Sequence, residues 1–308
     1  MNSKSQVTPA AGSGSDFPGT VAIAGLGMLG GSLALALKRL PTPPRVLGWG
    51  RRASSVAAAV EAGIIDAGDT RADAILPAAD LTVLCIPVKS SLQFGLEQAG
   101  CWRTGAIVTD VGSTKRELVT RLTPALARHA VRFVGSHPMA GSENSGLAHA
   151  DAGLYCRATV FVTPVPETDP AACRCVVDLW EKLGACPRLL PPGRHDTLLA
   201  RTSHALHLLA AAAVEAFLED EDDVLGTAGA FRDFTRIASS SPEMWAEIVQ
   251  TNRDEIVAAL DQFEQKLQRL RGTIEAADWP AVLEDLRRAK SKRDDWLARW
   301  RELREASR

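Results

Sequence analysis

The sequence predicts an α/β domain followed by an all-α domain, and three observations carry this prediction. The chain has 308 residues, enough for about two domains of ordinary size. Between residues 20 and 163, short apolar runs alternate with helical patterns, which is typical of a parallel sheet covered by helices on both faces. Beyond Pro192 no strand-like run remains, and the apolar residues follow helical spacing.

The composition and charge are those of an ordinary globular protein. Lys and Arg number 35 and Asp and Glu number 37, the formal net charge is −2, and 46% of the residues are hydrophobic. This composition excludes general disorder. Without a basic excess there is no electrostatic footprint for a phosphate backbone, so we expect no nucleic-acid partner.

The segment from Phe17 to Leu37 is uncharged over a length close to that of a membrane-spanning helix. Its five glycines and Pro18 instead favour a strand and a turn before a helix. Lys38 and Arg39 follow, where a signal peptide would carry small residues. We therefore expect no membrane span and a cytoplasmic protein.

The α/β domain is expected over residues 17–191, after a flexible leader. Residues 1–16 are rich in Ser, Gly, Ala and Pro and lack apolar periodicity. A Pro-rich stretch from Pro164 to Pro192 brackets the last helix of the domain and an edge strand. Six apolar runs predict the other strands: Val21–Ala24, Val46–Trp49, Leu81–Ile86, Ala106–Thr109, Val131–Val134 and Thr159–Thr163.

Residues 192–308 predict the all-α domain. Residues 198–218 are dense in Ala and Leu, and Trp296, Trp300 and Leu303 continue helical spacing in a charged C-terminal segment. A domain with this much apolar surface would bury part of it against a second copy, so we expect a homodimer. One apolar seam follows heptad spacing: Ile256, Leu260, Phe263, Leu267, Leu270 and Ile274.

A glycine-rich turn follows the first predicted strand and opens an uncharged helix. Gly25, Gly27 and Gly30 have the spacing Gly-x-Gly-x-x-Gly, with Met28 and Leu29 inside the turn. In this context the glycines permit a tight turn, close approach of a pyrophosphate, and helix-on-strand packing. The turn predicts a Rossmann-type dinucleotide-binding domain, and a tight turn without a ligand is the alternative.

The second strand indicates which dinucleotide would bind. An NAD site usually carries an acid there for the ribose 2′-hydroxyl, whereas this chain has Arg51, Arg52 and Ser54. Guanidinium groups form forked hydrogen bonds to a phosphate. We therefore predict NADP as the preferred cofactor, with NAD still possible; two solvated surface arginines are the alternative interpretation.

Two polar segments follow predicted strands, where ligands bind in α/β sheets. They are residues 109–115 and 135–146. Together with the glycine turn, further segments form a recognisable set: Val83–Pro87, the segment from Asp110 to Lys115, Gly135–Gly141, Ser203–His207 and Phe231–Ala238. Through this set the sequence resembles the prephenate and arogenate dehydrogenase family, the NAD(P)-dependent enzymes of tyrosine biosynthesis, over about residues 20–275. The resemblance adds Ile86 and Pro87 to the expected cofactor site.

The resemblance implies oxidation at C4 of prephenate or arogenate, with loss of hydride and of the ring carboxylate as carbon dioxide. By resemblance, His137 would accept the 4-hydroxyl proton. A nearby hydroxyl such as Ser113 would fix the imidazole tautomer or the substrate hydroxyl. Arg236 would pair with the ring carboxylate in a bidentate fork.

Further residues are expected at the substrate site by the same resemblance. Glu143 and Asp233 would form an ionic network with the substrate-binding arginine, and Arg232 would lie at the entrance. His204 and His207 would line the site, on a polar stripe shared with Arg201. Surface ion pairs and solvent-facing histidines are the alternatives. A His-x-x-His pair also suggests a metal, but no third ligand is evident, so we expect none.

Two other functions stay open at this point. A β-hydroxy-acid dehydrogenase of similar layout usually needs a lysine base in the helical domain, and residues 194–260 contain no lysine. A non-catalytic NADP-binding sensor would bind cofactor without turnover. The sequence decides neither the preference between prephenate and arogenate nor inhibition by tyrosine.

Overall fold

A computed structural model of the chain describes residues 17–141 and 146–305, with side chains to residue 302. The leader predicted over residues 1–16 therefore lies outside the described residues. The strands are β1 Thr20–Ala24, β2 Arg45–Trp49, β3 Ala67–Asp69, β4 Leu81–Leu84, β5 Ile107–Asp110, β6 Arg132–Phe133, β7 Gly135–Pro138, β8 Thr159–Thr163 and β9 Cys186–Leu189. The helices are α1 Met28–Lys38, α2 Ala53–Glu61, α3 Val88–Glu97, α4 Arg116–Ala127, α5 Pro170–Lys182, α6 Pro192–Leu199, α7 Ala205–Phe217, α8 Glu221–Gly226, α9 Gly229–Thr235, α10 Pro242–Thr251, α11 Arg253–Glu275 and α12 Trp279–Glu305.

The first sheet has six parallel strands in the order β3-β2-β1-β4-β5-β6. The chain proceeds outward from β1 on one side and then returns to its other side at β4. Ligands of doubly wound folds bind at such a reversal, beyond the carboxyl ends of the strands. The predicted fold class is confirmed, although the sequence analysis missed the short strand β3.

The core lies on both faces of this sheet. The neighbouring residues Val83 and Leu84 of β4 belong to apolar clusters on opposite faces, since successive side chains of a strand alternate. Trp180 and Tyr155 complete one cluster, and Phe94 and Leu122 complete the other. Burial on both faces explains why these strands are continuous apolar runs in the sequence.

The strand β7 forms a second, mixed sheet with β8 and β9, antiparallel to β8, which is parallel to β9. The polar residues around His137 are typical of a loop, but the structure places His137 in a strand. Residues Gly135 to Pro138 are all buried in β7, but their Gly, polar and Pro composition gives no strand signal. Gly135 is required because a Cβ there would lie 2.6 Å from Thr163 Oγ1.

The chain is helical from Pro192 onward, as predicted. A π-helical turn, Ala200–His204, joins α6 to α7. The seam in α11 is largely uncovered within one chain, because Phe263, Leu267 and Ile274 are 45%, 54% and 49% exposed. In the part of the chain that the structure describes, no helix has the length and apolar character needed to span a membrane.

Candidate active site

The glycine turn connects β1 to α1 at the point where the strand order reverses. Gly25 has a φ of +110°, and a Cβ there would lie 2.4 Å from the carbonyl oxygen of Cys85. A Cβ at Gly30 would lie 1.9 Å from the carbonyl oxygen of Gly25. A Cβ at Gly27 would meet no protein atom within 4 Å. Packing therefore requires two of the glycines, and Gly27 leaves open space in front of the amino end of α1, where phosphates bind.

A cavity of about 610 Å³ lies beside this turn. Of the residues predicted to bind cofactor, Arg51, Ile86 and Pro87 line it. Trp49 and Phe94, which the sequence analysis did not select, supply an aromatic wall with ring centroids 4.5 Å apart. Flat apolar walls of this kind suit a purine ring.

The charges around the cavity are mixed. Arg51, Arg52 and Ser54 are exposed, and Arg52 and Ser54 stand at the start of α2 outside the lining. Two acids that were not predicted there, Asp73 and Glu97, also line the cavity. Asp73 lies 3.4 Å from Arg71 Nε.

A buried ion pair lies at the end of β5. Lys115 and Asp110 are in contact, and both side chains are fully buried. Asp110 Oδ2 also accepts a hydrogen bond from the Gly112 N–H at 2.8 Å, and Oδ1 accepts one from the Ser136 N–H at 3.1 Å. Asp110 thus ties the polar segment after β5 to β7 and fixes the residue before His137.

His137 is buried on β7, paired with Phe161 of β8. Its Nδ1 lies 2.9 Å from Nε2 of His195, whose Nδ1 lies 2.7 Å from Asp196 Oδ1. Burial, together with His195 and Lys115, holds the pKa of His137 well below its usual range. The imidazole is therefore neutral at pH 7 and suited to accept a proton.

The partner of His137 differs from the sequence-based expectation. Ser113, expected to fix either the imidazole tautomer or the substrate hydroxyl, lies half-buried in the turn between β5 and α4. The side chain at Nδ1 of His137 is instead His195. The sequence analysis missed His195 because it lies 58 residues from His137 and belongs to none of the motifs.

The predicted histidines His204 and His207 both lie beside Trp245. The His207 ring stacks on Trp245 with centroids 3.6 Å apart, and His204 meets it edge-on at 6.0 Å. Asn252 Nδ2 lies 3.0 Å from His204 Nδ1 and donates to the carbonyl oxygen of Asp196 at 2.9 Å. The side chains of His204, His207, Trp245 and Asn252, with the backbone of Asp196, thus form one polar cluster. It connects to His137 through Asp196 and His195.

The electrostatics of this cluster keep its histidines neutral. Burial lowers the pKa of His204 to about 4. Burial also lowers the pKa of His207, and the nearby cation of Arg236 lowers it further. Trp245 Nε1 is buried without a hydrogen-bond partner among the described residues.

The structure describes some, but not all, of the charged residues predicted to bind substrate. Arg236 begins a 3₁₀ turn after α9, is exposed, and lies close enough to His207 to influence its pKa. Asp233 pairs with its neighbour Arg232 at 3.0 Å, and both are largely exposed. Glu143 lies outside the described residues. Arg201 is exposed while His204 is buried, so the π-helical turn separates Arg201 from the histidines.

Comparison with known proteins identifies both parts of the chain. The model of the prephenate dehydrogenase nucleotide-binding domain matches residues 33–188, and the model of the prephenate dehydrogenase dimerization domain matches residues 191–288. A prephenate dehydrogenase of Bacillus subtilis is 34% identical over 283 residues, which cover 89% of this chain and 75% of the relative.

Two solved structures share the whole architecture. The prephenate dehydrogenase of A. aeolicus, in complex with hydroxyphenyl propionate and NAD+, superposes with a TM-score of 0.84 and 32% identity, covering 90% of this chain and 97% of the other. An arogenate dehydrogenase of Synechocystis superposes with a TM-score of 0.79 and 28% identity, covering 90% of this chain and 99% of the other.

Proposed function

Because the chain belongs to the prephenate dehydrogenase family, we propose that it catalyses the oxidative decarboxylation of prephenate to 4-hydroxyphenylpyruvate, or of arogenate to tyrosine, with NADP as the preferred cofactor. The observation that carries the proposal is the neutral, buried imidazole of His137, beside a polar cluster of histidines and at the ligand-binding edge of a dinucleotide-binding fold.

The residues present fit a nicotinamide dinucleotide. Gly25, Gly27 and Gly30 would hold the pyrophosphate at the amino end of α1, because Gly27 leaves its backbone open to a ligand. Met28 and Leu29 begin that helix. The cavity lined by Arg51, Ile86 and Pro87 would take the adenosine end. The bound nicotinamide would supply the acceptor for the hydride that leaves C4.

The reaction then needs a base and cations from the chain. His137 accepts the 4-hydroxyl proton, a role for which its lowered pKa keeps it ready at pH 7. Arg236 binds the ring carboxylate, with His204 and His207 lining the substrate site. Ser113, on the polar turn after β5, would bind the substrate hydroxyl. Access to the substrate site is controlled by Glu143, Asp233 and Arg232.

NADP preference is supported by the charge at the end of β2. Arg51 lines the cavity, Arg52 and Ser54 open α2 next to it, and Asp73 is paired with Arg71. A 2′-phosphate would accept forked hydrogen bonds from a guanidinium group there. The double variant Arg51→Ala/Arg52→Ala should lose kcat/KM with NADP by about tenfold or more, with NAD turnover little changed; a wild-type preference for NAD would refute the assignment.

We also propose a homodimer formed by the helical part. The matched family model describes a dimerization domain. In one chain α7 has only two buried residues, Ala205 and Ala210, although its sequence is almost wholly apolar. The exposed seam of α11 adds Phe263, Leu267 and Ile274. A second copy would cover this surface.

The activity is tested by following absorbance at 340 nm with prephenate and with arogenate, each with NADP and with NAD. We expect turnover of at least one substrate, and His137→Asn should lower kcat by about two to four orders of magnitude with cofactor affinity kept. Cofactor binding without turnover of either ring would instead identify a non-catalytic sensor. A hydroxy-acid dehydrogenase would reduce cofactor only with β-hydroxy acids.

A further inference from the structure

We propose that His195 and Asp196 are positioning residues that hold His137 in the one tautomer able to take the substrate proton, and that stabilise the imidazolium formed in that step. The proposal rests on the function proposed above, because it gives His137 the role of base. It follows from three consecutive contacts that link α4, α6 and β7.

The first contact fixes Asp196 as a pure acceptor. Asp196 stands on α6, and its Oδ1 and Oδ2 accept the N–H groups of Lys115 and Arg116 at 2.8 and 2.9 Å. These groups open α4, which has no cap from its own segment. Asp196 therefore caps a helix of the other domain, where the helix dipole also favours a negative charge.

The carboxylate stays ionised despite its burial. Burial by itself would raise the pKa of Asp196, but hydrogen bonds from His195 and from the two backbone N–H groups outweigh it and leave the pKa lowered. An ionised carboxylate can only accept hydrogen bonds. The proton in the 2.7 Å contact with His195 must therefore be on His195 Nδ1.

The third contact carries this assignment to His137. A neutral His195 with its proton on Nδ1 has only a lone pair on Nε2. Because that atom lies 2.9 Å from Nδ1 of His137, His137 must donate through Nδ1. The lone pair of His137 is then on Nε2, so Nε2 is the atom that can accept a proton.

The competing state, a cationic His195, is disfavoured mainly by burial, although Asp196 and Asp110 by themselves favour the cation. His195 is fully buried, and the Phe161 ring of β8 meets it edge-on at 5.6 Å. Lys115, at the start of α4, adds a positive charge that Asp110 of β5 compensates. Burial is the largest of the influences that lower the pKa of His195, and the opposing influence of Asp196 does not reverse it. Burial also lowers the pKa values of His204 and His207, the titratable side chains of the polar cluster, so neither adds a positive charge at pH 7.

The reaction balances with this arrangement. The 4-hydroxyl O–H bond breaks, its proton goes to His137 Nε2 and its electron pair forms a carbonyl, while hydride leaves C4 for the oxidised nicotinamide. The ring carboxylate departs as carbon dioxide, its bonding pair completes the aromatic ring, and the resulting phenolate takes the proton back. Between these steps the His137 cation donates Nδ1–H to His195, which is bonded to the negative Asp196.

The decisive measurement reads the tautomer directly. In the full-length protein with ¹⁵N-labelled histidine, NMR correlation of ring nitrogens with ring protons should show His137 and His195 neutral at pH 7, each with its proton on Nδ1. A wild-type spectrum with the His137 proton on Nε2 would overturn the proposal. This measurement needs no substrate. A wrong assignment of the His137 tautomer is therefore distinguished from a failure of the proposed activity.

The kinetic constants of two variants provide a second test. Asp196→Asn should lower kcat by about 10² to 10⁴, as expected when a base loses its orienting carboxylate, while KM and cofactor affinity change by less than about threefold. Its spectrum should show a mixture of His137 tautomers. The matched control is Glu255→Gln, which removes another carboxylate bonded to Arg116, at 2.6 Å, and should leave kcat within about twofold. A folded Asp196→Asn protein with wild-type kcat would refute the proposal; should it not fold, the wild-type spectrum decides.

Discussion

Replacing the buried Lys115 by methionine should destabilise the protein far more than replacing a surface lysine. Both members of the Lys115–Asp110 pair have 0% exposed side chains. Methionine fills a similar volume, so the main change is that Asp110 keeps only its two backbone donors, Gly112 and Ser136. Removing one partner of a buried ion pair costs about 3–5 kcal/mol, since the remaining charge is left in a low dielectric.

The magnitude is measured by urea unfolding at pH 7, from the transition midpoint and slope. Lys38→Met is the matched control, because Lys38 also pairs with an aspartate, Asp66 at 2.6 Å, but the two side chains are 28% and 40% exposed. That pair should contribute about 0–1 kcal/mol. The double variant Lys115→Met/Asp110→Asn should recover part of the loss. Equal destabilisation by the two lysine substitutions would refute the reasoning.

Three other predictions follow from burial, close packing and exposure. Gly27→Ala should leave the unfolding midpoint of the free protein unchanged and weaken cofactor binding by about tenfold or more. Gly30→Ala should lower the unfolding midpoint, because its Cβ would lie 1.9 Å from the Gly25 carbonyl oxygen. The reverse pattern would contradict the roles given to the two glycines. The free energy of unfolding should fall as the pH drops below 6.5. In the unfolded chain His204 binds a proton near its ordinary pKa of 6.5, whereas in the folded protein its pKa is about 4 and it binds the proton only at lower pH. This group accounts for about 3 kcal/mol between pH 6.5 and 4, at about 1.4 kcal/mol per unit, and equal free energies of unfolding at pH 7 and pH 5 would disprove it. Leu267→Lys should yield a folded monomer by sedimentation, while Val60→Lys, a comparably exposed apolar residue on α2, should stay dimeric; an unchanged Leu267→Lys dimer would place the interface elsewhere.

The acid side of the activity profile depends on the same burial. The ordinary imidazole pKa suggests that kcat/KM should fall as the pH drops toward 6. Because burial holds the pKa of His137 well below that range, protonation of the free enzyme is moved to lower pH. Activity that is flat from pH 8 to 6 is therefore the expected result for this base.

Apart from the strands β3 and β7, the sequence by itself determined the order of elements, and it also determined the dinucleotide-binding turn. Strands such as β1 and β4 are mostly apolar because both of their faces are buried. The glycine spacing of the turn between β1 and α1 lies within six residues. Such signals are local, so they can be read without knowing what packs where. The motifs also singled out His137, His204 and Arg236.

Only the tertiary structure decided how the predicted base is held. His195 lies 58 residues from His137, and Asp196 lies 81 residues from the Lys115 N–H that it accepts. The strand β7 was hidden for a related reason, because its polar sequence pairs with β8 across the fold. Buried polar groups must form hydrogen bonds with whichever groups the packed elements bring next to them. No periodic pattern in the sequence indicates which partner that will be.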